Sequence, residues 1–524
     1  MAQNNDVVGF HPSGEGVAEG IVAAEGSVEL DTYAGKVHVQ WEPDGAVSAL
    51  GQMIFFIQFL KAAGLFDSWV EDSPLRYTSP NAPARQDVLG TILLSIVAGH
   101  RRYAHIAAIR SDGVNPELLG MKKVVSEDSV RHAFQKAEEE ACDKWMTKHL
   151  RACYGPLLEE TWVLDIDSTV KTLYGHQEEA ARGYNPGKPG RPSHVYHTYF
   201  IGNLRIVLDA EVQAGNQTAS SYAQPGLWKF VDGLGERSRP AFIRGDCGWG
   251  TERMMGEAER RNLGYLFKLK QSGNVKKLLE RMFGSEGWCD AGQGWQGMES
   301  ELQLEGWSRV RRVVVLRRAI KEPAALEGKK KKKGKDKDAQ LILDLGEMTH
   351  EGVNYEYAVL VTSMPDEVLT IAQHYRDRAD SENNFDELKN QWGWAGYTTH
   401  DMKRCQIMAR IIALIYNWWT LYARLVIPDK HAEAITTRPL LLHAIARQTR
   451  HSNQTTVTIT STHAKAGAVQ VALDEVGRFL SWIKSSTEQL TRPERWRLIL
   501  SHAYRKFLHG RILGSTPELA PCPV

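Results

Sequence analysis

Three acids in this chain sit where a carboxylate could do chemistry. Asp167 closes the apolar run WVLDI and is followed by Ser168 and Thr169. Asp246 ends AFIRGD, just before Cys247 and Gly248, and Glu382 lies inside HYRDRADSENNFDELKNQWGW, residues 374–394. Carboxylates at strand ends beside small residues are well placed to reach into a cleft. Three of them converging without counter-charge repel one another, so they take up protons or bind cations. An all-oxygen donor set suits Mg²⁺ or Mn²⁺. Two such ions about 3.5–4 Å apart can activate a water and stabilise the leaving oxygen of a phosphodiester.

The helix expected over 374–394 supplies the third acid. At about 100° per residue, Tyr375, Arg378, Glu382 and Lys389 share one narrow face, whereas Asp377, Asp380 and Glu387 fall on the opposite, solvent side. Taken alone, such a segment reads as a surface helix with an i,i+4 bridge from Arg378 to Glu382. The two strand acids shift that reading toward a site, with the cations of Glu382's face holding phosphates. Asp386, on the same face, is the rival acid within the helix. Asp165 points to the same side of its strand as Asp167, by the period-two alternation, and is either the first ligand or a helper behind it. Cys247 reads as a small residue beside a ligand, with a reactive thiol as the other reading.

The spacing Tyr375, two residues, Arg378, three residues, Glu382, six residues, Lys389 resembles the YREK signature of bacterial insertion-sequence DDE transposases. DST at 167–169 and RGDCGWG at 244–250 likewise resemble the neighbourhoods of that family's first two acids. The resemblance implies an α/β RNase H-like catalytic core interrupted by a β-rich insertion and flanked by N-terminal and C-terminal helical domains. It implies Asp167, Asp246 and Glu382 as a catalytic, metal-binding triad for Mg²⁺ or Mn²⁺, two ions in all, with Tyr375, Arg378 and Lys389 on the phosphates of the transposon end. The implied activity is cut-and-paste transposition at terminal inverted repeats. The released 3′-OH attacks target DNA, with a hairpin intermediate in some relatives, and two subunits act as a homodimer on double-stranded DNA. Relatives place a tryptophan of the insertion on a flipped base; Trp288, Trp295 and Trp307 are the candidates here, each with core packing as its plainer role. The other readings are a transposase-derived DNA-binding protein that no longer cuts, and a two-carboxylate glycosidase, which the cationic face disfavours.

Positioning such a site takes several elements, and 524 residues suffice for about three or four domains. The pattern divides into an arm (1–45), a helical domain (46–158) for which the resemblance implies DNA binding, a first stretch of the core (159–270), a β-rich insertion (271–365), a second stretch of the core with the YREK helix (366–424) and a C-terminal helical domain (425–524). In the first helical domain Ser126 is placed to cap a helix bearing Arg131 and His132, either the second helix of a helix-turn-helix or an ordinary bundle helix. DMKRCQIMARIIALIYNWWTLYARL is the most apolar helical stretch and is expected to be buried. The loop RGYNPGKPGRPSHVYH, 182–197, offers Arg182, Lys188 and Arg191 as phosphate contacts, or is a plain hairpin entry. His194 and His197 have no third soft ligand nearby, which argues against zinc.

Composition fits a globular chain, with 42% hydrophobic and 24% charged residues. Basic and acidic residues nearly cancel to a net +1, excluding a uniformly basic coat but not local basic surfaces at 99–105, 309–318, 329–337 and 492–506. The lysine run at 329–337 is either a solvated loop or a non-specific grip on DNA. The six cysteines form no CxxC pair, so neither a zinc knuckle nor a disulfide framework is suggested. No apolar run approaches the roughly 18–20 residues of a membrane span, and MAQNNDVVGF lacks leader character, so a cytoplasmic protein without membrane partners is expected; the transposase resemblance implies in addition a bacterial, nucleoid-associated one.

Overall fold

The computed structural model describes residues 28–320 and 355–514, apart from residues 43, 78, 80, 218, 462, 487 and 488. The lysine run lies outside the described residues. The chain divides into two compact units, Met1–Ala46 and Val47–Val524. In the first, β1 (Val28–Thr32) and β2 (Gly35–Val39) pair as an antiparallel hairpin.

The second unit begins with β3 (Val47–Ser48) and a helical run: α1 (Met53–Ala63), α2 (Leu65–Glu71), α3 (Arg85–Val97), α4 (Asn115–Leu118), α5 (Glu127–Gln135) and α6 (Glu139–Tyr154). Every residue of α3 from Asp87 to Val97 is buried, as expected of a helix apolar all round. Ser126 does cap α5, its hydroxyl accepting from the Ser129 amide at 3.3 Å.

A ten-stranded sheet forms the centre. It starts with β4 (Val163–Thr172), β5 (Ala181–Arg182), β6 (Pro192–Ile201) and β7 (Ile206–Ala214). β4, β6 and β7 are antiparallel neighbours, and β6 and β7 join at the Gly202–Asn203 turn that the sequence suggested. After α7 (Ala219–Asp232), β8 (Phe242–Gly245) lies parallel to β4; after α8 (Glu252–Arg260), β9 (Gly264–Lys268) lies parallel to β8. β6 is buried along nearly its whole length, because layers cover both faces of the sheet.

The segment 271–365 opens with a helix, α9 (Gly273–Phe283), rather than a strand. It continues as β10 (Cys289–Gly292), β11 (Trp295–Leu302), β12 (Arg311–Ala319) and β13 (Tyr355–Thr362). These strands extend the core sheet, since β13 pairs antiparallel with β9 and the order runs β10-β11-β12-β13-β9-β8-β4-β6. The single helix expected at 374–394 is two: α10 (Val368–Arg376) and α11 (Ala379–Asn390), interrupted at Asp377 and Arg378.

Beyond it, α12 (Met402–Val426) is the buried apolar helix expected from its sequence. Its Asn417 accepts from the Val207 amide at 2.9 Å and donates to the Val207 carbonyl at 2.7 Å, satisfying backbone on the outer strand β7. The stretch after 425, read as helical, contains a hairpin between α13 (Ala434–Leu441) and α14 (Ala466–Ser485): β14 (Ile445–His451) and β15 (Gln454–Thr460), with β14 also paired to β3. The last helix is α15 (Arg492–Ala503). The N-terminal and C-terminal helices pack on one another: Phe56 of α1 meets Trp419 and Tyr422 of α12, and Phe59 meets Trp496 of α15. No single helix among the described residues is long and apolar enough to cross a membrane.

Candidate active site

Three parallel strands run in register at the site, with Ile166 beside Gly245 and Gly245 beside Phe267; β8 and β9 end there, while β4 continues to Thr172. One residue further along each strand come Asp167, Asp246 and Lys268. The carboxyl ends of parallel strands are where α/β sheets hold ligands. Two residues back, on the same side of β4, Asp165 is almost wholly buried and bound at both oxygens by Arg244, at 2.6 and 2.8 Å. The Gly202 amide also donates to Asp165 Oδ2 at 3.2 Å. A Cβ at Gly202 would stand 2.4 Å from that oxygen and 2.6 Å from Ser381 Oγ, so only glycine allows this approach. Arg244 reaches on to the His374 carbonyl at the end of α10. Asp165 is thus engaged in joining β4, β8 and α10, while Asp167 stands forward of it.

Arg378 sits at the interruption between α10 and α11. Its guanidinium donates to Asp167 Oδ2 at 2.7 Å and to Glu382 Oε1 at 2.6 Å. Asp167 and Arg378 are buried, whereas the Glu382 side chain is 63% exposed. Asp246 accepts from the Gly248 amide at 2.8 Å, which fixes its carboxylate at the start of the turn. Burial pushes the Asp167 carboxyl up to about 7, with the Arg378 guanidinium pulling it back and the Asp246 charge adding to the rise. The Tyr375 hydroxyl is likewise raised by burial, and the acids Asp246 and Glu382 act on it in the same sense. Lys268 is lowered by burial and feels Cys247, Arg378 and Glu382, so its ammonium belongs to the same cluster.

The backbone of α11 is held from both ends. Arg205, at a left-handed φ of 58° after the β6–β7 turn, donates to Asp380 at 2.9 Å and Asn384 at 3.1 Å. At the other end Glu387 is buried rather than solvated, contrary to the helical-wheel expectation. It accepts from His431 at 2.8 Å, the Ala434 amide at 2.9 Å and the Trp392 indole at 3.1 Å. The wheel failed because α13 covers a face that a lone helix would show to water. Asp386 is exposed and accepts from Asn390 at 2.7 Å, and no bond joins it to Arg378. Lys389 is half-buried in the last turn, roughly 10 Å along the helix from Glu382 at about 1.5 Å per residue.

The other expected contacts lie apart from this cluster. Arg182, on β5, and Lys188 and Arg191, in the loop between β5 and β6, are exposed. Trp307 is buried, with Arg311 over its ring at 5.3 Å. Trp288 and Trp295 are half-buried beneath Arg317 and Arg318, at 3.9 and 4.9 Å. Several cations of the basic clusters are neutralised in place: Arg311 by Glu252 and Glu259, Arg497 by Glu159 and Lys506 by Asp429. Lys268 was missed in the sequence; the signal was a cation closing the apolar strand GYLFK in the same way that the two acids close theirs.

Residues 159–418 match a family model, that of the transposase DDE domain. This segment is similar to transposase DDE domains. Within it fall β4, β8, α11 and all three acids. No curated protein sequence matches the chain. Among solved structures, the cryo-electron microscopy structure of a piggyBac transposase synaptic complex with hairpin DNA is similar over 87% of this chain and 85% of that one, at 10% identity and a TM-score of 0.38. At that level the likeness carries nothing over to the site.

The donor chemistry of these three acids suits a divalent cation. Asp167 and Glu382 are both bound to one guanidinium, so Arg378 stands in for a cation between them, with Asp246 contributing to the same field. Among the described residues no group of three or more His, Cys, Asp or Glu is gathered closely enough to hold a metal as it stands. A metal at Asp167 and Glu382 would therefore require Arg378 to yield its place.

Proposed function

We propose that this chain is a DDE transposase of the bacterial insertion-sequence type, with an RNase H-like core, acting on the terminal inverted repeats of its own element. The observation that carries the reading is the meeting of Asp167 and Glu382, distant in sequence, on the two sides of the Arg378 guanidinium within the DDE domain. Supporting it is the strand order β7-β6-β4-β8-β9, antiparallel across the first three and parallel across the last three, which is the order the RNase H-like reading requires.

In this reading Asp167, Asp246 and Glu382 would hold Mg²⁺ or Mn²⁺, two ions in all, and the metal would supply Lewis-acid stabilisation of phosphate charge and a water of lowered pKa. The chain's own residues bind and orient. Arg378 leaves Asp167 for a phosphate oxygen, to which its planar fork is equally matched. Tyr375 and Lys389 take neighbouring phosphates along α10 and α11, and Lys268 adds positive charge from the end of β9, level with Asp246. A 3′-OH released by cleavage then attacks, either across the duplex to give a hairpin or directly on target DNA. Two ends held together call for a homodimer on DNA, in the bacterial cytoplasm at the nucleoid.

The test is incubation of the protein with Mg²⁺ and DNA carrying an end of the element that encodes it, comparing wild type with Glu382→Gln. Wild type is expected to nick and release the end, and the variant to bind without cutting. Undiminished cleavage by Glu382→Gln would sink the assignment. Binding without cleavage by wild type would instead favour a transposase-derived DNA-binding protein, a reading for which the seat of Arg378 between two acids is the supporting observation.

A further inference from the structure

The loop between β4 and β6 carries two tyrosines with no role in the cluster of acids. Tyr174 is 70% exposed and Tyr184 is 71% exposed, large values for rings that normally bury much of their area. Around them Arg182, Lys188 and Arg191 are exposed, and none of the three is in a salt bridge among the described residues. That separates this surface from the C-terminal basic cluster, where acids already take up Arg497 and Lys506.

The loop is built to hold its shape. Asn185 is buried and donates to Thr172 Oγ1 at 3.1 Å, while its own oxygen accepts from the Lys188 amide at 3.2 Å. The Arg191 amide donates to the Lys188 carbonyl at 3.1 Å. Gly183, between Arg182 and Tyr184, runs so close to the turn after β7 that a Cβ would lie 1.8 Å from the Gly215 oxygen. Tyr174 and Tyr184 both lie within two residues of the Thr172–Asn185 contact, so they emerge from one anchored point. Arg191 lies over the Tyr174 ring at 5.2 Å, which shows that this face accepts a flat, electron-poor group.

We infer that this loop is a second nucleic-acid contact, in which Tyr174 and Tyr184 stack on unpaired or unstacked bases while Arg182, Lys188 and Arg191 hold the adjoining phosphates. The inference rests on the transposase reading for the identity of the polymer, and extends it to a place on the DNA. From Asp167 to Thr172 the strand runs about 17 Å at roughly 3.3 Å per residue. An exposed ring beside unneutralised cations suits a base beside its phosphate, since every base offers a π-face. The bases can come from a distorted element end or from bent target DNA, the two sources sharing one chemistry.

The experiment is fluorescence anisotropy with two labelled duplexes, one fully paired and one with two unpaired thymines, each in a sequence flanking the gene and in an unrelated sequence. Wild type, Tyr174→Ala, Tyr184→Ala, the double alanine variant and the double Phe variant are compared, with thermal melting as the control on folding. The double alanine variant is expected to lose about tenfold or more in affinity for the duplex with unpaired bases and little for the paired one, with Phe restoring the wild-type value. A loss confined to the flanking sequence assigns the contact to the element end; a loss on both assigns it to DNA generally, including target. Equal behaviour of Ala and Phe, or equal losses on paired and unpaired DNA, would overturn the stacking role. If wild type binds and cuts DNA and the alanine variants match it throughout, only this inference fails. If wild type binds neither duplex, the transposase reading fails with it.

Discussion

At the residue scale, the two aspartates of β4 divide their labour by environment. Asp165 faces Arg244 in a nearly solvent-free, two-point pair, and breaking such a pair from one side costs about 3–5 kcal/mol. Asp167 faces the cleft, and burial already disfavours its charge. Asp165→Asn is therefore expected to lower stability by about 3 kcal/mol in urea unfolding. Asp167→Asn is expected to leave the midpoint nearly unchanged or raised while abolishing DNA cleavage. The reverse pattern would exchange their roles. Arg378→Ala removes the guanidinium that balances Asp167 and is expected to cost about 2–3 kcal/mol, less than a fully isolated pair because Asp167 can take up a proton. Arg378→Lys restores the charge without the two-pronged geometry, so cleavage should stay low while some of the stability returns.

Glu211 on β7 gives a residue-scale pH signature away from the site. Burial, reinforced by Asp209, lifts its carboxyl to about 7, against about 4.5 when the chain is unfolded. Its folded pKa lies above its unfolded one, so its contribution to stability is fully present below about 4.5 and is lost as pH rises through 7. Tyr199 donates to Glu211 at 3.3 Å, a bond that glutamine can keep. Glu211→Gln should therefore be more stable than wild type at pH 8, by about 1–2 kcal/mol, with the gap closing by pH 5. Parallel stability curves across that range would show that this carboxyl titrates normally.

At the scale of elements, α11 is the piece whose placement decides the site, and contacts from outside it do the placing. Glu387 accepts three hydrogen bonds, one from the first turn of α13, so Glu387→Ala strands an imidazole, an indole and a backbone amide together. Such losses run to about 3 kcal/mol. Hydrogen exchange should show the amides of α11 and α13 opening faster in this variant while those of β10–β12 are unchanged; uniform acceleration would mean that α11 is not separately anchored. This is also where sequence reading stopped. The strand-end acids and the Tyr-Arg-Glu-Lys spacing were legible because they are local patterns of type and interval. The interruption at Asp377 and Arg378 was not, since a wheel drawn at a fixed angle presumes one unbroken helix. Nor was the burial of Glu387, which depends on a helix more than forty residues away in the chain. The β14–β15 hairpin had a readable signal in the alternation of QTTVTIT after Ser452 and Asn453, both in left-handed turn geometry, but it lay within a stretch read as helical.

At the scale of the molecule, strand and helix types could be read locally, but their partners could not, because partner choice is settled by surfaces far apart in sequence. The insertion strands extend the core sheet through β13 and β9, and the N-terminal helices share a core with the C-terminal ones. Trp69 of α2 meets Trp418 at 5.6 Å, Phe56 meets Trp419 at 5.3 Å, and Gln58 donates to the Gly477 carbonyl at 3.2 Å. The helices of 46–158 therefore lack much of their own core when alone. Each large aromatic left in water forfeits about 1.5–3 kcal/mol, and a domain is stable by only about 5–15 kcal/mol, so losing several such contacts removes most of the margin. A fragment of residues 46–158 is expected to give collapsed amide dispersion in its NMR spectrum and no cooperative thermal transition, whereas the full chain melts its α1–α6 region together with α12–α15. A well-dispersed spectrum from the fragment would show instead that these helices are an autonomous domain, free to bind DNA without the remainder of the chain.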